Sequence, residues 1–299
     1  MSSPLRSQSP VELGLRQSKI ALLRAKRLAK WAYSPSQFPQ APHASTQDRV
    51  LLHEICVDAQ GEQSHPRLER GKLQNLRIAA AHFDGRLLTP ERGFSFWRLL
   101  GRPTQRRGFL PGTEIRDGCV IPTLGGGLCL LSGALFRLAA EMGWDIAERH
   151  GHTVAPTDFD RIDATVFWPF VDLRFAPHKR AVLLRVRLAG GQLRVAAYGE
   201  KRDIRPILRI WRERVTPTNS AAQARDVQAS RIYRSHDALD RGAAADRGAA
   251  ADRGAAADRG AAELLGHDQQ RILPTGLRRN CLTCDERGCH ARSKLLEAL

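Results

Sequence analysis

The sequence predicts an α+β fold: a mainly antiparallel sheet packed against a central helix that begins at a Gly-rich turn, with a basic N-terminal helix and a flexible C-terminal extension. Three observations carry this expectation. An apolar run with helical spacing, Leu128 to Ala140, follows Gly125-Gly126-Gly127. A second run, Gly71 to Ala81, places apolar residues at 73, 76 and 80. The back half alternates apolar and polar residues on both sides of Gly190-Gly191, a hairpin pattern.

Length and composition set the outer bounds. With 299 residues and a 42% hydrophobic fraction, the chain can bury a substantial core in one large or two modest domains. Its 47 Lys and Arg against 31 Asp and Glu give a formal net charge of +16. Such an excess suits acidic partners, but an Arg-rich composition also follows from a GC-rich genome, so nucleic acid is not expected as a partner. Arg16, Lys19, Arg24, Lys26, Arg27 and Lys30 interrupt Val11 to Ala32, which therefore lacks the apolar core of a signal peptide. No later run reaches membrane-spanning length. These features predict a cytoplasmic protein, soluble or peripheral to a membrane. In that compartment six cysteines, three of them clustered, point to thiol or metal chemistry instead of a disulfide framework.

Residues 1–48 form the first unit. Val11 to Ala32 reads as a basic helix with Ile20, Leu23, Leu28 and Trp31 on one face. That stripe suits packing on the domain, the alternative partner being an anionic membrane surface. Pro35, Pro39 and Pro42 make the following stretch a linker.

The main unit spans 49–214. Val50 to Ile55 is a short strand leading to Cys56, and Arg70 to Ala81 is a helix ending near Asp84-Gly85. Leu87 to Trp97 reads as strand, turn, strand, its aromatic end alternating as a half-buried strand does. A hairpin from Thr113 to Ile121 turns at Asp117-Gly118. Beyond the central helix, Asp163 to Trp168 and Val171 to Phe175 read as strands, Ala181 to Tyr198 as a hairpin, and Ile207 to Trp211 as one more strand. Residues 215–280 form an extension in which Asp-Arg-Gly-Ala-Ala-Ala repeats from Asp240 to Ala262. That period keeps no helix face in register and offers no large apolar side chain, which predicts a flexible spacer.

The chemistry centres on Cys129. It falls at a helix start, where the dipole and unpaired amides lower a thiol's pKa and hold an oxyanion or another anion. Past the helix end at Gly143, Glu148-Arg149-His150-Gly151-His152 supplies two imidazoles, and a returning strand brings one back to the sulfur. His150 is the expected partner, being nearer the helix end. Asp163 or Asp172 then orients the imidazole, and the Gly125, Gly126 and Gly127 amides bind the ligand. The simpler alternative is a buried packing cysteine beside a tight turn.

Residues 281–299 are a Cys-cluster tail. Cys281-Leu282-Thr283-Cys284 has the bite to hold zinc or the iron of an iron–sulfur cluster, with Cys289 and His290 as further ligands. Cys56 or a partner is another source of the fourth ligand.

Phe94-Ser95-Phe96-Trp97, Gly125-Gly126-Gly127-Leu128-Cys129, Glu148-Arg149-His150-Gly151-His152 and Asp163-Ala164-Thr165-Val166, in that order and spacing, resemble the VanW family. Gly71-Lys72, Asn75-Leu76 and Gly101-Arg102-Pro103-Thr104 extend the resemblance over Gly71 to Phe175. These bacterial proteins are named for an accessory member of some vancomycin-resistance gene clusters. The resemblance therefore implies a cell-envelope and glycopeptide-resistance context more than a reaction. Leu130 departs from the family pattern, which places Gln after the Cys. If that Gln is an oxyanion partner, its replacement weakens or alters activity; if it caps the helix, little changes.

Two functions follow. In the first, Cys129 is the nucleophile of an acyl-transfer or amide-hydrolysis reaction on a peptide or cell-wall precursor. In the second, a non-catalytic module holds a small anionic ligand at the glycine turn.

Overall fold

The computed structural model describes residues 21–29, 48–60, 66–116, 119–152, 162–205, 207–215, 227–238, 262–271 and 279–280, with Ser18 and Trp31. In chain order the front half carries α1 (residues 21–29), β1 (Val50–Asp58), α2 (Pro66–Phe83), β2 (Arg86–Leu88), β3 (Phe94–Ser95), α3 (Phe96–Leu100), β4 (Pro111–Arg116), β5 (Cys119–Leu124) and α4 (Leu128–Glu141). The back half carries β6 (Asp145–Glu148), β7 (Arg174–Ala176), β8 (Val182–Ala189), β9 (Gln192–Gly199), β10 (Leu208–Val215), β11 (Val227–Ala238), β12 (Ala262–Arg271) and β13 (Arg279–Asn280). The fold is α+β with antiparallel sheets; among the described strands β13 and β5 form the one parallel pair.

The largest sheet has the order β1-β9-β8-β2. Its centre is the hairpin that Gly190-Gly191 makes possible: both glycines have positive φ, 57° and 78°, the twist a two-residue hairpin turn needs. Leu184, Val186, Leu193 and Val195 are buried in the core shared with α2 and α4. α2 begins four residues before the expected Arg70, because Pro66 carries a fixed φ suited to the first helical position, where its missing N–H costs nothing. α4 is buried on nearly every side, from Leu128 and Leu131 through Phe136 to Ala140, as a helix sandwiched between layers must be.

Three sequence expectations are corrected. Phe96-Trp97 does not continue a strand; Ser95 caps α3 by accepting from the Arg98 amide, and the Trp97 amide donates to Asp172 Oδ1 at 3.1 Å. Asp163 to Trp168 is extended but joins no regular sheet, its last part closing on Val171 through an isolated bridge from Phe167. The extension 215–280 was expected to be flexible, but it contains β11 and β12, of which β11 pairs with β10 and β12 with β11 in a three-stranded sheet, while the repeat expected as the spacer lies outside the described residues except for Ala262. These strands carry few apolar residues, and their inward positions hold Arg212, Arg234 and Asp268 beside Ile232, so the alternation that marks a half-buried strand is missing.

α1 also differs from expectation. Its leucines do not face the domain: Leu22, Leu23 and Leu28 are 70%, 45% and 53% exposed. The contact is polar instead. Arg27 pairs with Glu148 and donates to the carbonyls of Pro169 and Phe170, while Trp31 is buried against Trp168. No helix among the described residues is long and apolar enough to cross a membrane.

Candidate active site

The glycine turn works by close approach. A Cβ on Gly126 would lie 2.3 Å from the Gly112 carbonyl carbon, so only glycine allows the turn to lie against β4. The buried Asn75 locks this arrangement: its amide nitrogen donates to Leu110 O and Gly126 O, both at 2.9 Å, and its oxygen accepts from the Leu110 amide. The Gly125 and Gly126 amides are themselves committed, to Leu110 O at 3.2 Å and Thr123 O at 2.7 Å. They are therefore not the anion-binding donors expected from sequence. Gly127, with φ 93°, is the N-cap of α4, and the first-turn amides of Leu128 and Cys129 have no acceptor within the helix.

Cys129 lies half-buried in that first turn. One turn on, Ser132 Oγ donates to Ala164 O at 2.6 Å and to Cys129 O at 3.1 Å, fastening the extended segment 163–166 along the helix. The Thr165 amide in turn donates to His150 O at 2.8 Å, which lays His150-Gly151-His152 beside the same segment. The sulfur is 3.4 Å from Thr165 Oγ1 and 3.7 Å from Val166 O, and the His152 imidazole is near enough to act on it. His152 Nδ1 is paired with Asp163 Oδ2 in a short contact.

The histidine at the sulfur is thus His152, not the expected His150. His150 is half-exposed and sits 3.4 Å from Glu148 Oε1. Two residues separate them, so an extended backbone alone does not choose between them. The choice is made by the position of Asp163, which reaches only His152. Asp172, the other carboxylate considered, is elsewhere: it accepts from Ser95 Oγ at 2.6 Å and from the amides of Trp97 and Leu173. Burial pushes its carboxyl up to about 6 against those hydrogen bonds.

The electrostatics favour an ion pair. Burial pushes the Cys129 thiol up, but the hydrogen bond and charge of His152 outweigh it and hold the thiol below its ordinary value. Burial likewise disfavours the imidazolium, yet hydrogen bonds to Asp163 and Cys129 raise His152 to about 10. Asp163, pushed up by burial, is held below the usual carboxylate range by His152, Arg149 and Arg212. Arg149 and Thr165 stood in the motifs singled out from the sequence without a role, whereas Arg212, Ser132 and Asp268 were not singled out. Each is an ordinary residue type whose partner lies far away along the chain.

Cys281, Cys284, Cys289 and His290 lie outside the described residues. Cys56, on β1, is exposed and bonds Gln192 at 3.4 Å. Among the described residues, no group of three or more His, Cys, Asp and Glu is placed to hold a metal ion.

The fold and this constellation define an α+β protein with a cysteine, an imidazole and a carboxylate converging on the start of its central helix. Comparison with known proteins places the segment that carries it: residues 71–198 match the family described as VanW like protein, and this segment is VanW-like. The chain is 29% identical over 131 residues to the uncharacterized protein YoaR of Bacillus subtilis, covering 43% of each chain. It is 30% identical over 112 residues to the vancomycin B-type resistance protein VanW of Enterococcus faecalis, covering 36% of this chain and 41% of that protein. The match therefore spans about two fifths of the length of these relatives. No solved structure matches the chain.

Proposed function

We propose that the VanW-like segment is a cysteine-dependent acyl-transfer or amide-hydrolysing enzyme. The observation that carries this reading is the convergence of Cys129, His152 and Asp163 at the start of α4, with His152 paired to Asp163 and near enough to the sulfur to lower the thiol's pKa. The Cys129 thiolate attacks the carbonyl carbon of an amide, and the first-turn amides of α4 receive the oxyanion. With Nδ1 held by Asp163, the second ring nitrogen of His152 delivers its proton to the leaving amine, leaving an acyl thioester. Water, or an acceptor amine, then gives that nitrogen a proton as it attacks the thioester, and the thiolate is expelled. The resistance role in the name of the Enterococcus faecalis relative supports a peptide or cell-wall precursor as the acyl donor.

A module that only binds an anion at the glycine turn draws less support, because the Gly125 and Gly126 amides are already bonded. Leu130 is the feature in its favour: a half-buried apolar side chain packed on the core occupies the place after the cysteine. The two readings part in an alkylation experiment with iodoacetamide, resolved by peptide. The enzyme reading expects Cys129 to be the most reactive of the six thiols and to react well below the free-thiol value of about 8.5. A Cys129 that titrates at or above that value ends it.

A further inference from the structure

A charge cluster lies behind the Cys129–His152–Asp163 line, and half of it comes from outside residues 71–198. Arg149 donates through Nε to Asp163 O at 2.8 Å, lies 3.3 Å from Asp163 Oδ1, and forks onto Asp268 at 2.5 and 2.9 Å. Arg212 on β10 reaches both carboxylates, Asp268 at 3.0 Å and Asp163 at 3.4 Å. The side chains of Arg149, Arg212 and Asp268 are 2%, 0% and 1% exposed. Gly151, between the two histidines, leaves the space for Asp268: a Cβ there would lie 2.2 Å from its Oδ1.

We infer that Arg212 and Asp268, carried by the C-terminal sheet, are positioning residues for the proposed reaction, completing a cluster that orients Asp163 and balances its charge toward His152. The inference rests on the cysteine-dependent reading. The groups that face His152 and Asp163 are Cys129 from α4, Arg149 from the segment after β6, Arg212 from β10 and Asp268 from β12. Two guanidiniums and two carboxylates, Asp163 among them, sum to zero, so the imidazolium and thiolate face a cluster that carries no net charge. Such a balance is a functional quantity. A buried scaffold of purely apolar side chains would serve packing as well or better.

Charge balance makes a signed expectation. The ion pair exists between loss of the thiol proton at lower pH and loss of the imidazolium proton at higher pH. Asp268→Asn leaves one net positive charge, which favours loss of both protons and moves the whole window down. Arg212→Met leaves one net negative charge and moves it up. At these short distances in a half-screened interior each shift is about one pH unit.

The test measures the pH profile of Cys129 alkylation by iodoacetamide in the full chain, with far-UV circular dichroism as the check on folding. Opposite shifts in Asp268→Asn and Arg212→Met, and a profile near that of the unaltered chain in the double variant, support the inference. Shifts in one direction, or none, in folded variants overturn it while leaving the enzyme reading standing. An unaltered chain whose Cys129 titrates as a free thiol instead overturns that underlying reading. Should Arg212→Met not fold, Asp268→Asn, which keeps size and shape, decides alone: a downward shift supports the inference and an unmoved profile overturns it.

Discussion

His152 and His150 are identical in type and two positions apart, and each has a carboxylate beside it, Asp163 and Glu148, yet only His152 also acts on the Cys129 sulfur. Replacing His152 with Ala therefore removes both the hydrogen bond and the charge that lower the Cys129 thiol, while burial remains. The alkylation midpoint of Cys129 is expected to rise to about 8.5 or above in His152→Ala and to stay in place in His150→Ala. Asn75 offers a structural counterpart. It makes three hydrogen bonds inside the glycine turn and is fully buried. At about 1 kcal/mol for each bond, with desolvated partners left behind, Asn75→Ala should cost about 3 kcal/mol. Urea denaturation checks this, and a loss under about 1 kcal/mol would show that the turn does not depend on Asn75.

The attachment of α1 rests on one charged side chain more than on its apolar face. Arg27 and Glu148 are both nearly buried, and breaking such a pair typically costs about 3 to 5 kcal/mol. Arg27→Met should release α1 from the domain, and limited proteolysis between α1 and β1 should then proceed faster than in the unaltered chain. Unchanged cleavage would place the attachment in Trp31 instead. The β11–β12 connection makes the opposite case. The six-residue repeat occupies the segment between Ala238 and Ala262, where the two strands of the C-terminal sheet are joined. Deleting Asp246 to Ala257 removes two whole repeats and roughly halves the connection, which changes the closure cost by only about 0.6 kcal/mol. The thermal midpoint should move by no more than about 3 °C. A larger drop on calorimetry would mean that the repeat makes contacts that stabilise the sheet.

Charges of the whole protein divide by sign in their effect on stability. Glu141, Glu148 and Asp163 start from burial, which raises them, and are carried below the usual range by His53, Arg27 and His152 respectively. Their contribution is present above the unfolded carboxylate value of about 4 and is lost as pH falls through the lower folded values. Asp172 runs the other way. Raised to about 6 by burial, it binds its proton more tightly when folded, so acidification from neutral pH to about 4.5 stabilises through this group. Asp172→Asn should abolish that gain in the pH dependence of the thermal midpoint. A gain that survives the substitution would assign it to another group. On the alkaline side, His152 contributes stability below its unfolded value of about 6.5, and that contribution is lost as pH rises through about 10.

Local pattern determined much of this protein. The helical spacing after Gly127, the Gly190-Gly191 hairpin and the glycine-to-cysteine turn depend on neighbours within a few residues, and all three form as read. Cys129, His152 and Asp163 were among the candidates the sequence offered, but with His150 preferred to His152 and Asp172 an equal alternative to Asp163. Tertiary structure alone decided which histidine meets the sulfur, that Asp172 serves Ser95 and Trp97, and that the Gly125 and Gly126 amides are already bonded. It alone revealed Arg212 and Asp268 as well. Their partner Asp163 lies 49 positions before Arg212, and Arg149 lies 119 before Asp268. Periodicity reports which face of an element is apolar. A buried charge network leaves no periodic trace, because its members are chosen by pairing across space and not by position along a strand.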